Sequence, residues 1–445
     1  MQAPWKILNI ELSQEIPSVT IPDGYRGITL VFCWQGIPLG DRELDAAELP
    51  LSASQVLNLA VRAIAPAVGS SIEAGFEGKL PVDRPALFSN AVPNFQKLTT
   101  LNRPLKAIAE RWAQPMANQI SVVVCTRNRP QQLHRCLRSL ADLDPSPLEI
   151  LVVDNAPSST ATREVVNQFP NVKYILEPNP GLSIARNTGI RHSQGDIIAF
   201  TDDDLEVHPR WLLGLQLGFR DPRVMAVTGL MLPAELKTPA QVTFYQNAHS
   251  SRWEYQPLTF DNKFFQVMQS KGVPVWRIGA GANMAFRSKV FNAIGNFNEI
   301  LGAGAAGCSE DSEMWYRILA EGWQCRYEPT AVVFHYHRSQ IDELQEQMYQ
   351  YMRGHVTALL FQFERYRHWG NLRRIFIALP RYYLRRTLRR YIKGDRGMEP
   401  TLESEIAGSL AGIKYYRQHK RYLARSQQTQ NLKFNHLNRK VFNQK

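Results

Sequence analysis

From residue 120 to residue 204 the chain alternates between short apolar runs and amphipathic segments, and this alternation limits the possible folds more than any other feature. In chain order, the pattern predicts a strand over Ile120–Cys125, a helix over Pro130–Leu140, a strand over Leu148–Val153, a helix over Thr160–Phe169, a strand over Val172–Ile175, a helix over Ser183–Arg191 and a strand over Ile197–Phe200. Strands separated by helices of this length predict an α/β fold with a mainly parallel sheet covered on both faces.

Polar side chains follow three of the predicted strands. Thr126–Arg129 come after the first strand, Asp154 after the second, and Asp202–Asp204 after the last. Ligands of such sheets bind at the carboxyl ends of the strands. We therefore expect these residues to lie along one edge of the sheet, far apart in sequence and close in space.

The three carboxylates of Asp202–Asp204 end an apolar run, and two interpretations fit them. Carboxylates two positions apart at a strand end can hold one divalent cation through hard oxygen ligands, and that cation would neutralise a diphosphate. Acidic runs after strands also occur as solvated turns or helix N-caps. The triplet alone leaves both interpretations open.

Three regions are expected along the 445 residues, 44% of which are hydrophobic. Residues 1–118 predict a small β-containing domain, in which Gly27–Trp34 is a strand, Gln35–Gly40 is a turn, and the segment from Pro81 to Pro104 is a connector. Residues 119–340 hold the α/β alternation, and residues 341–445 predict a helical region.

The N-terminus lacks the charged and apolar regions of a signal peptide, and the sequence contains no apolar run long enough to span a membrane. These features predict a cytoplasmic protein. The five cysteines are odd in number, scattered and without a C-x-x-C pair, which argues against a disulfide framework and against a zinc site.

Positive charge is concentrated at the C-terminus. Residues 341–445 hold 21 Lys and Arg against 8 Asp and Glu, which accounts for the whole net charge of +12. Residues 372–393 predict an amphipathic basic helix, kinked or started at Pro380, with Ile377, Leu384, Leu388 and Tyr391 on one face. Such a helix either lies against an anionic membrane surface or packs on the α/β domain with its arginines solvated. No RNA-binding motif accompanies the charge, which argues against nucleic acid as a partner.

Several motifs together resemble the family 2 glycosyltransferases of the GT-A fold, over about residues 119–340. Val122–Pro130 is similar to that family's first strand and loop, and Pro180–Gly189 is similar to a helix start that faces the donor. The resemblance implies that Thr126, Arg127, Asn128 and Arg129 contact the nucleotide, that Asp154 binds its base, and that Arg186 and Asn187 face the donor.

The resemblance also gives the acidic triplet a role. It implies that Asp202 lies near the ribose, that Asp203 contacts the nucleotide sugar, and that Asp204 binds a divalent metal together with Asp202. Oxygen ligands favour Mn²⁺ or Mg²⁺. His335 follows the apolar run Val332–Phe334 and resembles a third metal or phosphate contact; a purely structural histidine fits that position equally well.

Two later segments complete the resemblance. Gly279–Arg287 reads as a small-residue loop entering a strand, which implies that Asn283 lies near the transferred sugar. The glycine-rich stretch Gly302–Glu313 opens a helix, and its Glu310-Asp311 pair resembles the motif that carries the general base. An inverting transfer needs one such carboxylate, and we expect Asp311 in that role with Glu310 as the second choice.

The sequence thus predicts an inverting, metal-dependent glycosyltransferase that uses a nucleotide-diphosphate sugar, most commonly a UDP-sugar in this family. Its acceptor would be a hydroxyl of a glycan or of a lipid-linked sugar, as in envelope polysaccharide assembly, at the inner face of the membrane. Two alternatives remain: a sugar nucleotidyltransferase, although Thr126–Arg129 lacks the glycine-rich loop common in that class, and a non-catalytic nucleotide-sugar-binding protein.

Overall fold

The computed structural model describes residues 4–73, 105–110, 112, 119–249, 255–393 and 401–420. The predicted connector from Pro81 to Pro104 lies outside the described residues.

The N-terminal region forms a sheet of three strands: β1 (Trp5–Glu11), β2 (Gly27–Trp34) and β3 (Ile37–Asp45). Strand β2 pairs parallel with β1 and antiparallel with β3, and the helix Ala53–Glu73 covers the sheet. The predicted strand is confirmed, but the predicted turn is too long. Gln35 and Gly36 alone make the turn, both with positive φ, and such a two-residue hairpin lets Ile37 start the next strand at once.

Nine described strands form the second sheet. In chain order they are β4 (Ile120–Thr126), β5 (Glu149–Asn155), β6 (Val172–Glu177), β7 (Ile197–Asp202), β8 (Leu205–Val207), β9 (Val224–Pro233), β10 (Leu258–Phe260), β11 (Asn283–Arg287) and β12 (Gln324–His335). The spatial order is β10-β12-β9-β11-β7-β4-β5-β6, and β8 pairs with β12. Only β8, β10 and β11 among them run against the others, so the predicted α/β class with a mainly parallel mixed sheet is confirmed.

Helices cover both faces of this sheet. Their bounds are Pro130–Ala141, Ala161–Val166, Leu182–His192, Trp211–Gly218, Pro239–His249, Asn262–Gln269, Lys289–Ile294 and Glu310–Ala320. Along β4, Val122 and Val124 belong to one hydrophobic cluster, whereas Val123 and Cys125 belong to another on the opposite face. Since side chains alternate along a strand, a strand covered on both sides is apolar on both faces, as the Val122–Cys125 run is.

The two sheets share a hydrophobic core. Leu213, Leu230 and Val332 of the second sheet's layer lie in the same cluster as the buried side chains of β2 and β3. The backbone continues this contact, because the Trp5 amide donates a hydrogen bond to the Leu236 carbonyl at 2.8 Å. The N-terminal region is therefore packed against the α/β region through a continuous apolar layer.

The C-terminal region is helical, as predicted. It contains the helix Ile341–Tyr366, a short helix Gly370–Arg373, a π-helical turn Arg374–Ala378, the helix Leu379–Lys393 and a helix over 402–420. Ile375, Leu379 and Tyr383 are buried against neighbouring helices. The apolar face predicted from the sequence is exposed to solvent: the side chains of Ile377, Leu384 and Leu388 are all exposed. The side chain of Tyr391 lies outside the described part of the structure. No helix in the described ranges is long and apolar enough to cross a membrane.

Candidate active site

The carboxyl ends of β4, β5 and β7 bring the predicted polar residues to one edge. In the strand register Thr126 is opposite Asp154, and Cys125 is opposite Asp202. The parallel strand β12 ends on the same edge, where the Tyr336 amide donates to the Asp204 carbonyl at 3.2 Å. The structure therefore gathers the ends of four strands around the acidic triplet.

Asp203 is the buried member of the triplet and fixes the loop after β4. Its carboxylate accepts a hydrogen bond from the Thr126 hydroxyl at 2.7 Å and one from Arg129 Nη1 at 3.0 Å. Burial raises the pKa of Asp203 to about 6, although the Arg129 charge opposes this shift. Asp203, Thr126 and Arg129 therefore hold the loop after β4 against the loop after β7.

Asp204 lies between a histidine and an arginine. His335 Nε2 is 3.4 Å from one carboxylate oxygen of Asp204, and Arg129 Nη1 is 3.4 Å from the other. Burial alone would raise the pKa of Asp204, but the hydrogen bond and charge of His335 together with Arg129 outweigh it and hold the pKa at about 2. The other ring nitrogen of His335, Nδ1, is buried and has no hydrogen-bond partner among the described residues.

Arg186 connects the triplet to the start of the helix Glu310–Ala320. Its guanidinium is buried; Nη1 binds a Glu310 oxygen, and Nη2 contacts Asp202 at 3.3 Å and the Gly281 carbonyl at 3.1 Å. Burial raises the pKa of Glu310 to about 7, with the Arg186 charge acting in the opposite direction. One side chain thus places the second pair of carboxylates, Glu310 and Asp311, beside the strand ends.

Asp311 differs from Glu310 in its surroundings. It is partly exposed, and one of its carboxylate oxygens accepts the Ser312 amide at 2.5 Å. A Cβ built on Gly281 would lie 2.8 Å from the other oxygen, so only glycine lets the loop before β11 approach this closely. Asp311 is therefore the member of the pair that is accessible from the site.

The predicted base-binding residue, Asp154, is fully buried. Its Oδ2 accepts a hydrogen bond from the Tyr174 hydroxyl at 2.8 Å, and its Oδ1 has no hydrogen-bond partner within the described ranges. Burial raises the pKa of Asp154, and hydrogen bonds from Tyr174 and Thr162 partly offset this shift. Asn128, with φ of 56°, accepts hydrogen bonds from the amide and hydroxyl of Ser158, and Arg127 is exposed.

Two predicted residues point into the fold and do not face the site. The Asn187 side chain donates hydrogen bonds to the Phe297 carbonyl and to the Glu299 carboxylate, and it accepts one from the Phe297 amide. Asn283 accepts from Trp211 Nε1 at 2.9 Å and donates to the carbonyls of Leu230 and Ala331. With every polar atom satisfied inside the core, both side chains stabilise the fold, and the expectation that they contact the donor does not fit this geometry.

Tyr174 and Tyr351 are two residues of this region that the sequence pattern does not single out. Tyr174 lies on β6 beside Asp154. The Cys308 thiol donates a hydrogen bond to the Tyr351 carbonyl at 3.2 Å, so Tyr351 lies beside the segment that leads into Glu310 and Asp311. Tyr174 shares one face of the short strand β6 with Val172 and Leu176, and this pattern does not distinguish it from a packing residue.

A metal would have carboxylates and an imidazole available here. Asp202 and Asp204 are both partly exposed, and His335 adjoins Asp204. Oxygen donors of this kind fit Mn²⁺ or Mg²⁺ better than zinc. In the described part of the chain no three His, Cys, Asp or Glu side chains are already grouped as metal ligands, so Asp204 would have to exchange its contacts with Arg129 or His335 for the ion.

Comparison with known proteins is consistent with the geometry. Residues 121–295 match the family model described as "Glycosyl transferase family 2". A "Pre-mycofactocin glycosyltransferase" of Mycobacterium tuberculosis is 28% identical over 230 residues, covering 51% of this chain and 44% of the relative. "Glycosyltransferase AglE" of Haloferax volcanii is 36% identical over 100 residues, covering 21% of this chain and 33% of the relative. The chain thus spans less than half the length of these two relatives.

Among solved structures, a mannosyltransferase from Pyrobaculum calidifontis in complex with GDP-Man and Mn²⁺ aligns with 81% of this chain and 98% of its own. The identity is 16% and the TM-score 0.46. By the match of its sequence to the family model, the chain carries a glycosyl transferase family 2 domain over residues 121–295.

Proposed function

We propose that this protein transfers a sugar from a nucleotide-diphosphate sugar to a hydroxyl of a glycan or lipid-linked acceptor, with inversion at the anomeric carbon. The observation that carries the proposal is the buried Arg186, which holds the strand-end carboxylate Asp202 and the helix-start carboxylate Glu310 on one guanidinium. Departure of a diphosphate and removal of an acceptor proton need carboxylates in two places, and Arg186 holds the strand-end carboxylate Asp202 beside the helix start that carries Asp311.

For the donor, the proposal assigns the nucleotide to the loops after β4 and β5. The unpaired Oδ1 of Asp154 would accept a hydrogen bond from an N–H of the base. Uracil carries such an N–H, so UDP is the nucleotide that we test first. Thr126 and Arg129 act through Asp203 to position this loop, and the exposed Arg127 is free to reach a phosphate.

Asp202 and Asp204 would hold a divalent cation, with His335 beside them. When bound, such an ion would neutralise the negative charge that develops on the leaving diphosphate. The chain's own residues prepare for this role, because Arg129 and His335 keep Asp204 ionised across the physiological pH range.

Asp311 would take the proton from the acceptor hydroxyl. It is accessible, whereas Glu310 is buried and bound to Arg186. Glu310 then acts as a positioning residue, because it sets the start of the helix that carries Asp311. A proton acceptor of this kind contributes roughly 10²–10⁴ in rate.

An anionic membrane surface is the proposed location of the acceptor. Exposed apolar side chains recur along the segment 369–388, with Trp369 at 72% and Leu384 at 59% exposure. No Asp or Glu occurs from Trp369 to Lys393, whereas Arg373 and Arg385 are exposed between the apolar residues. Apolar area together with arginines suits the headgroup region of a bilayer that contains anionic lipid.

A thermal-shift panel of nucleoside diphosphates, with and without Mn²⁺, tests the donor half of the proposal. Stabilisation by one diphosphate only in the presence of the metal supports it, since ligands that bind the native state raise the unfolding temperature. The absence of a thermal shift with every diphosphate would contradict the donor half of the proposal.

An activity assay distinguishes the three alternatives. Release of nucleoside diphosphate from the sugar nucleotide supports sugar transfer, whereas formation of pyrophosphate from a nucleoside triphosphate and a sugar phosphate indicates a nucleotidyltransferase. Binding of the sugar nucleotide without turnover indicates a binding protein.

A further inference from the structure

Arg374 is a partly buried arginine with no acidic partner among the residues that the structure describes. It lies in the π-helical turn Arg374–Ala378, with its guanidinium 3.7 Å over the ring of Trp276. Its Nε donates to Nε2 of His355 at 3.0 Å, and no described residue accepts a hydrogen bond from its two Nη nitrogens. Burial lowers the pKa of Arg374 to about 10, and only two tyrosines, Tyr383 and Tyr382, act in the opposite direction.

His355 does not neutralise this charge. Burial lowers the pKa of His355 well below its ordinary value, and the Arg374 charge lowers it further, so the imidazole is neutral and accepts the hydrogen bond. Trp276 packs edge-on against the same imidazole, with ring centroids 4.8 Å apart. The cluster therefore holds a cation on the face of Trp276 and against His355, and four of its N–H donors have no acceptor among the described residues.

Two segments link the cluster to the surroundings of Asp311. Tyr351 is one helical turn before His355 in the helix Ile341–Tyr366, and its carbonyl accepts a hydrogen bond at 3.2 Å from the thiol of Cys308, three residues before Asp311. From the other side, Trp276 precedes by five residues Gly281, whose backbone lies against Asp311. Two independent segments therefore connect the surroundings of Asp311 with Arg374.

We propose that Arg374, held by Trp276 and His355, binds a phosphate group of the acceptor, and that Tyr351 lies along the acceptor between this group and Asp311. The inference rests on the proposed function. A guanidinium fork recognises phosphate oxygens in a bidentate manner, and the exposed Tyr351 side chain can contact the rest of the acceptor. Arg374 neighbours the exposed Phe376 and Ile377 in sequence, so a phosphate at this position can belong to a lipid whose chain follows the apolar face.

Isothermal titration calorimetry with farnesyl monophosphate tests this site, with the donor site first filled by UDP and Mn²⁺. The wild-type protein should bind the probe, Arg374→Gln should weaken binding at least tenfold, and the exposed Arg381→Gln, on the adjoining helix, should leave it within twofold. Arg374→Lys, which keeps the charge but loses the planar fork, should give an intermediate loss and provides a second variant if the glutamine disturbs folding. Equal affinities for wild type and Arg374→Gln would overturn the proposal, as would binding that disappears once the donor site is filled.

Two further probes identify the source of the phosphate. Farnesol, which lacks the phosphate, should bind at least tenfold more weakly, and equal binding of farnesol would contradict an anion site. Inorganic phosphate that binds as tightly as farnesyl monophosphate, and equally depends on Arg374, supports the anion site while assigning it to a soluble acceptor.

The thermal response to UDP and Mn²⁺, measured on the same samples, distinguishes the two proposals. Arg374→Gln should retain that response. Probe binding without a nucleotide response would reject the proposed function but support the anion site. A nucleotide response without probe binding would support the proposed function and reject the anion site.

Discussion

Arg186 contacts Glu310 with Nη1 and Asp202 with Nη2, so one buried guanidinium links the end of β7 to the first turn of the helix Glu310–Ala320. These two carboxylates are 108 positions apart in sequence, and Arg186 lies on a third element, the helix Leu182–His192. The candidate site therefore depends on tertiary packing more than on any single loop.

Replacing Arg186 by Gln should destabilise the fold by roughly 3–5 kcal/mol, because breaking a buried ion pair leaves Glu310 without a counter-charge. Urea unfolding of wild type and variant measures the difference. Arg191→Gln, at the exposed end of the same helix, is the control and should cost less than about 1 kcal/mol. Similar losses for both variants would show that the Arg186 bridge does not stabilise the fold.

Asp311→Asn should lower kcat by roughly 10²–10⁴ while the stabilisation by nucleotide and Mn²⁺ stays unchanged, because only proton removal is lost. Initial rates of diphosphate release, with thermal shifts on the same preparation, measure both quantities. Glu310→Gln serves for comparison and should lower thermal stability as well as rate, since it removes a partner of Arg186. A near-normal rate for Asp311→Asn would remove this residue from the role of base.

Asp204→Asn should abolish the difference between nucleotide-induced thermal shifts measured with and without Mn²⁺, because the ion loses a carboxylate ligand. Treatment of the wild type with a chelator should reproduce that loss, and added Mn²⁺ should restore the shift in the wild type alone. Asp221→Asn, a more exposed acid away from the sheet edge, is the matched control. A metal-dependent shift that survives in Asp204→Asn would contradict the assignment.

The stability of the folded protein should depend on pH through the side chain of His208. Burial lowers its pKa to about 4, with the Arg210 charge adding to the shift and a hydrogen bond to the Gly36 backbone opposing it. Since the unfolded chain binds this proton from about pH 6.5 downward, stability should fall between about pH 6.5 and pH 4 and level off below, by at most about 3 kcal/mol.

His208→Gln should flatten this part of the curve when urea unfolding is followed from pH 7 to pH 4. The quantity to compare is the slope of the free energy of unfolding against pH. Identical slopes for wild type and variant would mean that His208 is protonated equally well in both states.

The exposed apolar face predicts binding to anionic vesicles. Leu384→Glu combined with Leu388→Glu should reduce co-sedimentation with vesicles that contain phosphatidylglycerol, and added salt should weaken wild-type binding. Leu410→Glu, equally exposed on the helix 402–420, is the control and should bind as the wild type does. Equal binding of all three proteins would reject this face as the membrane contact.

The strands at the centre of the sheet could be predicted from sequence because burial on both faces favours continuous apolar runs, as at Val122–Cys125. The clustering of Asp154, Asp202 and Thr126 follows from the same rule, since parallel strands end at one edge. Asn283 could not be assigned this way. Its side-chain amide accepts a hydrogen bond from Trp211 and donates to two carbonyls of strands distant in sequence. Contacts between residues so far apart in the chain cannot be predicted from a local sequence pattern. The Arg374 cluster could not be predicted from sequence for a similar reason, because Trp276, which contacts Arg374, is almost a hundred residues away in the chain.

The apolar layer that joins the two sheets has a consequence for how the protein unfolds. Leu213, Leu230 and Val332 take part in one cluster with Phe32 and Val56 of the N-terminal region. Removing the first 73 residues would leave these side chains against water, at a cost of about 25 cal/mol for each Å² of apolar surface uncovered. We therefore expect the N-terminal region and the α/β region to melt as one cooperative unit, and neither to be a module that could be exchanged independently.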